Sequence, residues 1–130
     1  MNVRVLLITD DAMSLQPLRE RLEELGYEIR CVDTISEAVL LLDQFSPQII
    51  LYDWPRYETR SEVEWDLEYE QSRELDRFRL ANRVPICYLV GLSHVQKWKQ
   101  VGLVHFYIRL GDWHMRYDTE SIVHWAKENT

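Results

Sequence analysis

Three aspartates in this chain stand where carboxylates could act together on one cation and one reacting group. Asp10 and Asp11 follow the run Val3-Arg4-Val5-Leu6-Leu7-Ile8-Thr9, and Asp53 ends the run Ile49-Ile50-Leu51-Tyr52. Carboxylates offer the hard oxygen ligands that magnesium takes alongside water and phosphate. An aspartate is also ionised near neutral pH, so it can serve as a nucleophile without help from a base. Gathered at one edge with no cation between them, three such groups would repel one another and raise at least one pKa. The histidines do not suggest a second centre: His94, His105, His114 and His124 share no ligand spacing on a common element and read as surface or packing residues.

The hydrophobic pattern shows what must hold these acids. Ile49 to Tyr52 is an unbroken apolar run after Pro47, as expected of a parallel strand covered on both faces. In an open α/β sheet, ligands bind outside the carboxyl ends of the strands, which is where Asp53 and the Asp10-Asp11 pair fall. Between them, Met13 to Leu25 carries Leu15, Leu18, Leu22 and Leu25 at helical spacing, with Gly26 as its stop. Tyr27 to Val32 alternates as a strand, with Tyr27, Ile29 and Cys31 on one face. A helix capped by Asp33 or Thr34, or starting at Ser36, then buries Ala38, Val39, Leu41, Leu42 and Phe45 and ends at Pro47.

Beyond Asp53, Trp54 to Tyr57 reads as a loop, and Ser61-Glu62-Val63-Glu64 resembles a capping box opening a charged helix to about Ala81. Glu70–Arg73, Glu74–Arg77 and Asp76–Arg79 are placed to pair along it, each worth about 0.2–0.5 kcal/mol. Trp54, Tyr57, Trp65 and Tyr69 lie in or near this segment, and large aromatics are enriched at interfaces. Val84 to Val90 is another buried strand. A short helix from Ser93 to Gln100, a turn at Gly102, a strand from Val104 to Arg109 and a last helix with Ile122, Val123, Trp125 and Ala126 follow. Five strands alternating with five helices predict a three-layer α/β/α sandwich.

Composition narrows the classes. A chain of 130 residues is expected to be a single domain, residues 1–130, long enough to bury a core without staples. At 46% hydrophobic and 28% charged residues it matches ordinary globular proteins, and no apolar run approaches the roughly 20 residues that cross a bilayer. No signal-peptide pattern precedes the first strand, so a cytoplasmic location is expected. Cys31 and Cys87 lack paired metal or redox spacing and read as buried free thiols. A net charge of -7 without a basic cluster argues against nucleic acid and anionic membrane as partners.

The acids, the strand order and the length together resemble the receiver domain of bacterial response regulators, across essentially the whole chain. The resemblance implies a doubly wound, flavodoxin-like, five-stranded parallel sheet in the order 2-1-3-4-5. It also implies a site in which Asp10, Asp11, Asp53 and the backbone carbonyl of Pro55 hold Mg2+ while Asp53 accepts a phosphoryl group. The family's Ser or Thr at the end of the fourth strand is matched by Val90, which cannot donate a hydrogen bond. Its lysine at the end of the fifth strand is matched by Arg109, which keeps the charge but not the compact ammonium, and the proline after it by Leu110. Phe106 stands at the position of the switch aromatic and lacks a hydroxyl.

The resulting expectation is an atypical receiver domain in two-component, phosphorelay signalling. It would be a binding module rather than an enzyme, at most self-phosphorylating and slowly dephosphorylating. Its partners would be a histidine kinase or phosphotransfer protein and an effector protein, with a homodimer left open. A phosphorylation-independent pseudo-receiver scaffold is the alternative. A small phosphotransferase or hydrolase with Asp53 as nucleophile is a third reading, opposed by the isolation of Gly91 and Gly102 and by the lack of a matched general acid.

Overall fold

All five residues of Ile49–Asp53 are buried, because this strand has a neighbour on each side and a helical layer on each face. The structure, a computed structural model, describes residues 2–53, 62–90, 107–109 and 119–130, with side chains described at 2–53, 70–89 and 119–130. Along the chain the elements are β1 (Arg4–Ile8), α1 (Gln16–Glu24), β2 (Glu28–Val32), α2 (Ile35–Phe45), β3 (Ile49–Asp53), α3 (Glu62–Asn82), β4 (Ile86–Val90), β5 (Tyr107–Arg109) and α4 (Thr119–Glu128). No helix among the described residues is long and apolar enough to cross a membrane.

The sheet expected with five strands in the order 2-1-3-4-5 is found with four strands of five residues and, among the described residues, a fifth traced over three. Four parallel strands of five residues stand in the order β2-β1-β3-β4 in this three-layer sandwich, and the shorter β5 continues that order beside β4. Of the run expected as a fifth strand from Val104, the described residues Tyr107–Arg109 lie along β4. Among the described residues that segment has a neighbour on one side alone, whereas β1 and β3 are supported on both. The helix expected over Ser93 to Gln100, the loop at Trp54 to Tyr57 and residues Val104 to Phe106 lie outside the described residues.

Alternation within the strands sorts the core into two layers. Leu6, Ile8, Ile50, Tyr52, Ile86 and Tyr88 face α2 and α3. Val5, Leu7, Ile49, Leu51, Cys87 and Leu89 face α1 and α4, where Leu18, Leu22, Ile122 and Trp125 meet them. Each such side chain contributes about 1.5–3 kcal/mol when fully buried.

Local chemistry sets the helix ends. α1 begins three residues later than expected because Ala12 to Ser14 turn instead, and Pro17 sits in its first turn where no amide partner is needed. Gly26 adopts φ +88, the left-handed conformation that ends helices without penalty only for glycine. Of the candidate starts for α2, Thr34 is the cap, its hydroxyl accepting from the Glu37 amide at 3.2 Å. Ser46 closes α2 at φ 49 just before Pro47.

Along α3, the pairs expected between Glu70 and Arg73 and between Glu74 and Arg77 do not form among the described residues. All four side chains are exposed, where holding two long chains together gains little. Asp76 and Arg79 do pair, Nε to Oδ1 at 2.7 Å. Arg79 is only 6% exposed, and its Nη2 has no hydrogen-bond partner among the described residues. Tyr88 lies in the same layer, its ring meeting that of Tyr52 edge-on with centroids 5.8 Å apart. Burial pushes the Tyr88 phenol well above its usual range, Asp76 adding to the effect and Arg79 opposing it.

Two measurements test this polar inclusion. Asp76→Ala strands a buried guanidinium and should cost about 3–5 kcal/mol, whereas Arg79→Met should lie within roughly 1 kcal/mol of the parent; denaturant melts showing equal losses would refute the assignment. Because Tyr88 ionises less readily folded than unfolded, its contribution is intact below the unfolded value of about 10 and is lost as pH rises above it. Stability should therefore fall less steeply on the alkaline side in Tyr88→Phe than in the parent, and identical slopes would count against it.

Candidate functional site

The edge of interest is built from the register of β1 and β3. Leu7 lies opposite Leu51 and Ile8 opposite Tyr52, so one further step brings Thr9 level with Asp53. Both continue the alternation that places Leu7 and Leu51 on the α1 and α4 side. Their side chains meet: Thr9 Oγ1 donates to Asp53 Oδ2 at 2.6 Å, with Thr9 1% exposed and Asp53 7% exposed. A hydroxyl bonded to an ionised oxygen is a short, charge-assisted contact, stronger than its neutral counterpart.

The same hydroxyl reaches a second acid. Thr9 Oγ1 accepts the backbone N–H of Asp11 at 3.0 Å, while the Thr9 N–H donates to the Val32 carbonyl at 2.9 Å. One buried side chain thereby ties the end of β3 to the loop after β1. Asp11 in turn orders the entry to α1: Ser14 Oγ donates to its Oδ2 at 2.6 Å and the Ser14 amide to its Oδ1 at 3.4 Å. Asp10 is exposed.

The donors are of the right kind for magnesium, being carboxylate oxygens on adjacent strand ends. Their present hydrogen bonds, however, run to protein groups, and among the described residues no three His, Cys, Asp or Glu side chains come together as a metal-holding group. Each Asp11 oxygen accepts one contact from Ser14 and keeps a further lone pair toward the edge.

Other expected residues are placed by backbone alone or not at all. Asp53 pairs with Leu89 across β3 and β4, and Val90 pairs with Arg109 across β4 and β5. Both matched positions therefore lie at the carboxyl edge that carries Asp53. Pro55 and Phe106 lie outside the described residues.

Comparison with known structures was decisive for the architecture. A response regulator signal receiver domain from Bermanella marisrubri superposes with a TM-score of 0.70, at 17% identity over 99% of this chain and 98% of that one. The receiver domain of NtrX from Brucella abortus gives 0.69 at 12% identity, with 96% of each chain covered. A CheY-like receiver domain protein from Methanospirillum hungatei JF-1 gives 0.66 at 17% identity, covering 98% and 93%. The fold is that of receiver domains. No protein-family model matches the sequence, and no curated protein does either.

On this receiver fold, Thr9 and Ser14 are the residues that reading the sequence missed. Thr9 looked like the tail of an apolar strand. The signal was available, since its parity with Val5 and Leu7 and the parallel pairing of two acid-tipped strands put a hydroxyl beside Asp53. Ser14 gave no comparable signal, because residues 13–15 fitted the expected helix as well as the observed turn.

Thr9→Val keeps the shape and removes the hydroxyl, withdrawing one hydrogen bond from a buried carboxylate. It should destabilise the fold by about 1–3 kcal/mol, and Thr9→Ser should recover most of that. Denaturant melts of the three proteins decide it; a valine variant as stable as the parent would mean that the contact carries no weight.

Proposed function

We propose that this protein is a signalling module of the receiver type, in which Asp53 accepts a phosphoryl group and partner binding follows its state. The observation that carries this reading is a carboxylate only 7% exposed at the carboxyl end of the central strand, in a receiver fold, beside the loop that bears Asp10 and Asp11. Burial of a charge without purpose is costly, and the crevice at this edge is the usual ligand site of open α/β sheets.

In the reaction, an oxygen of Asp53 attacks the phosphorus of a donor. The bond from phosphorus to the donor breaks, its electron pair leaves with the donor, and an acyl phosphate remains on the carboxyl group. Asp10, Asp11, Asp53 and the backbone carbonyl of Pro55 are the groups that would hold magnesium, which would neutralise charge on the transferred oxygens. Thr9 holds Asp53 through one oxygen and limits its rotation. Arg109 supplies the positive charge at the lysine position, and Phe106 stands at the switch position. Val90 leaves the transferred group without a hydroxyl donor from β4, so transfer is slow. Donors of the histidine kinase or phosphotransfer class and an effector protein are the partners this reading requires.

A scaffold that never carries phosphate is the second reading, favoured by one specific observation: both oxygens of Asp11 are already engaged by Ser14. The two are separated by incubation with acetyl phosphate and magnesium, followed by intact mass. Slow labelling that disappears in Asp53→Asn and accelerates in Val90→Thr, by up to about 10²-fold, supports phosphoryl acceptance. Absence of labelling in both the parent and Val90→Thr would leave the scaffold.

A further inference from the structure

Asp53 has a hydroxyl residue level with it on one side and an apolar residue on the other. The register of β1 sets Thr9 beside it, and its partner on β4 is Leu89, which is fully buried. Val90, the next residue of β4, has no side-chain donor. The hydroxyl bonded to this carboxylate therefore comes from the β1 side.

The direction of the Thr9 proton follows from its two partners. A backbone N–H can only donate, so the Thr9 oxygen accepts from the Asp11 amide at 3.0 Å. Its single O–H proton is left for Asp53 Oδ2, 2.6 Å away. The backbone beneath is held as well, the Thr9 N–H donating to the Val32 carbonyl at 2.9 Å. With Thr9 1% exposed, this donor is fixed on Oδ2 and out of reach of bulk water.

We infer that Thr9 sets the lifetime of an acyl phosphate on Asp53 by favouring the free carboxylate over the phosphorylated form, an inference that rests on the phosphoryl acceptance proposed above. With Oδ2 held, Oδ1 takes the phosphoryl group and Oδ2 becomes the acyl carbonyl. That carbonyl is uncharged, and a hydrogen bond to an ionised acceptor is roughly twice as strong as one to a neutral acceptor. The contact thus weakens when the acyl phosphate forms and strengthens again when it is lost. In that loss a water oxygen attacks phosphorus and the bond from phosphorus to Oδ1 breaks. Its electron pair returns to the carboxyl group, and both water protons leave with inorganic phosphate. Negative charge reappears on Oδ2 as the bond breaks, and Thr9 stabilises it there.

The test labels the parent, Thr9→Val, Thr9→Ala and Thr9→Ser with acetyl phosphate and magnesium, removes the acetyl phosphate, and follows the decay by intact mass, with folding checked by circular dichroism. The acyl phosphate should last roughly threefold to tenfold longer in the valine and alanine variants, and Thr9→Ser should decay like the parent. A merely structural role for Thr9 would act in the opposite sense, because a loosened edge admits water and shortens the lifetime. Infrared spectra of protein labelled at 13C-aspartate, taken after magnesium is chelated, give a second reading. The acyl carbonyl band should lie at higher frequency in Thr9→Val than in the parent and return in Thr9→Ser. Labelling with equal or shorter lifetimes in Thr9→Val and Thr9→Ala, or an unmoved carbonyl band, would overturn the role of Thr9 alone. No labelling in any variant, Val90→Thr included, would overturn phosphoryl acceptance and this inference with it.

Discussion

A strand with a neighbour on both sides and a helical layer on both faces has no surface left for water, and β3 meets that condition along its whole length. Everything placed there is held by what surrounds it. Ile49, Ile50, Leu51 and Tyr52 satisfy the constraint by burying apolar surface in two separate layers. Asp53 satisfies it differently, by standing at the last position, where the sheet ends and the hydroxyl of Thr9, just past β1, meets its carboxylate. Register between β1 and β3 is therefore both a packing requirement and a chemical one. A slip of one residue would turn Thr9 to the α2 side and leave the acid facing apolar neighbours.

The opposite layer shows how much polarity the interior tolerates when it is partnered. Tyr52 and Tyr88 stack edge to face beneath α3, and the Asp76–Arg79 pair lies close enough to influence the Tyr88 phenol. These groups sit on the face of the sheet away from Asp53. Paired charge in such surroundings adds little net stability, and it is Leu75 and Phe78, packed into this layer, that set the rotation of α3 about its own axis. That rotation determines which of the helix's charges turn outward.

Much of this architecture was legible because it rests on short-range patterns. Leucines at helical spacing located α1, the apolar run after Pro47 located β3, and Ile122, Val123, Trp125 and Ala126 were correctly assigned to the buried side of the last helix. Less legible was whatever depends on pairing across the chain. Where β5 lies depends on what β4 offers it, and the apolar content of Val104 to Arg109 does not encode that pairing. Likewise, acids at strand ends could be counted, but whether they turn toward one another depends on competing partners such as Ser14, which hydrophobic periodicity does not encode.

The span of the Thr9–Asp53 hydrogen bond bears on how the chain acquires its structure. Its two ends are 44 residues apart, and closing a loop of that size costs about 3 kcal/mol of chain entropy. All the elements that it links, β1, α1, β2, α2 and β3, are contiguous within the first 53 residues. During synthesis Thr9, Asp10, Asp11 and Asp53 have thus all been made before the first turn of α3, and the remaining strands are added to an edge whose acids and bridging hydroxyl already belong to the amino-terminal segment.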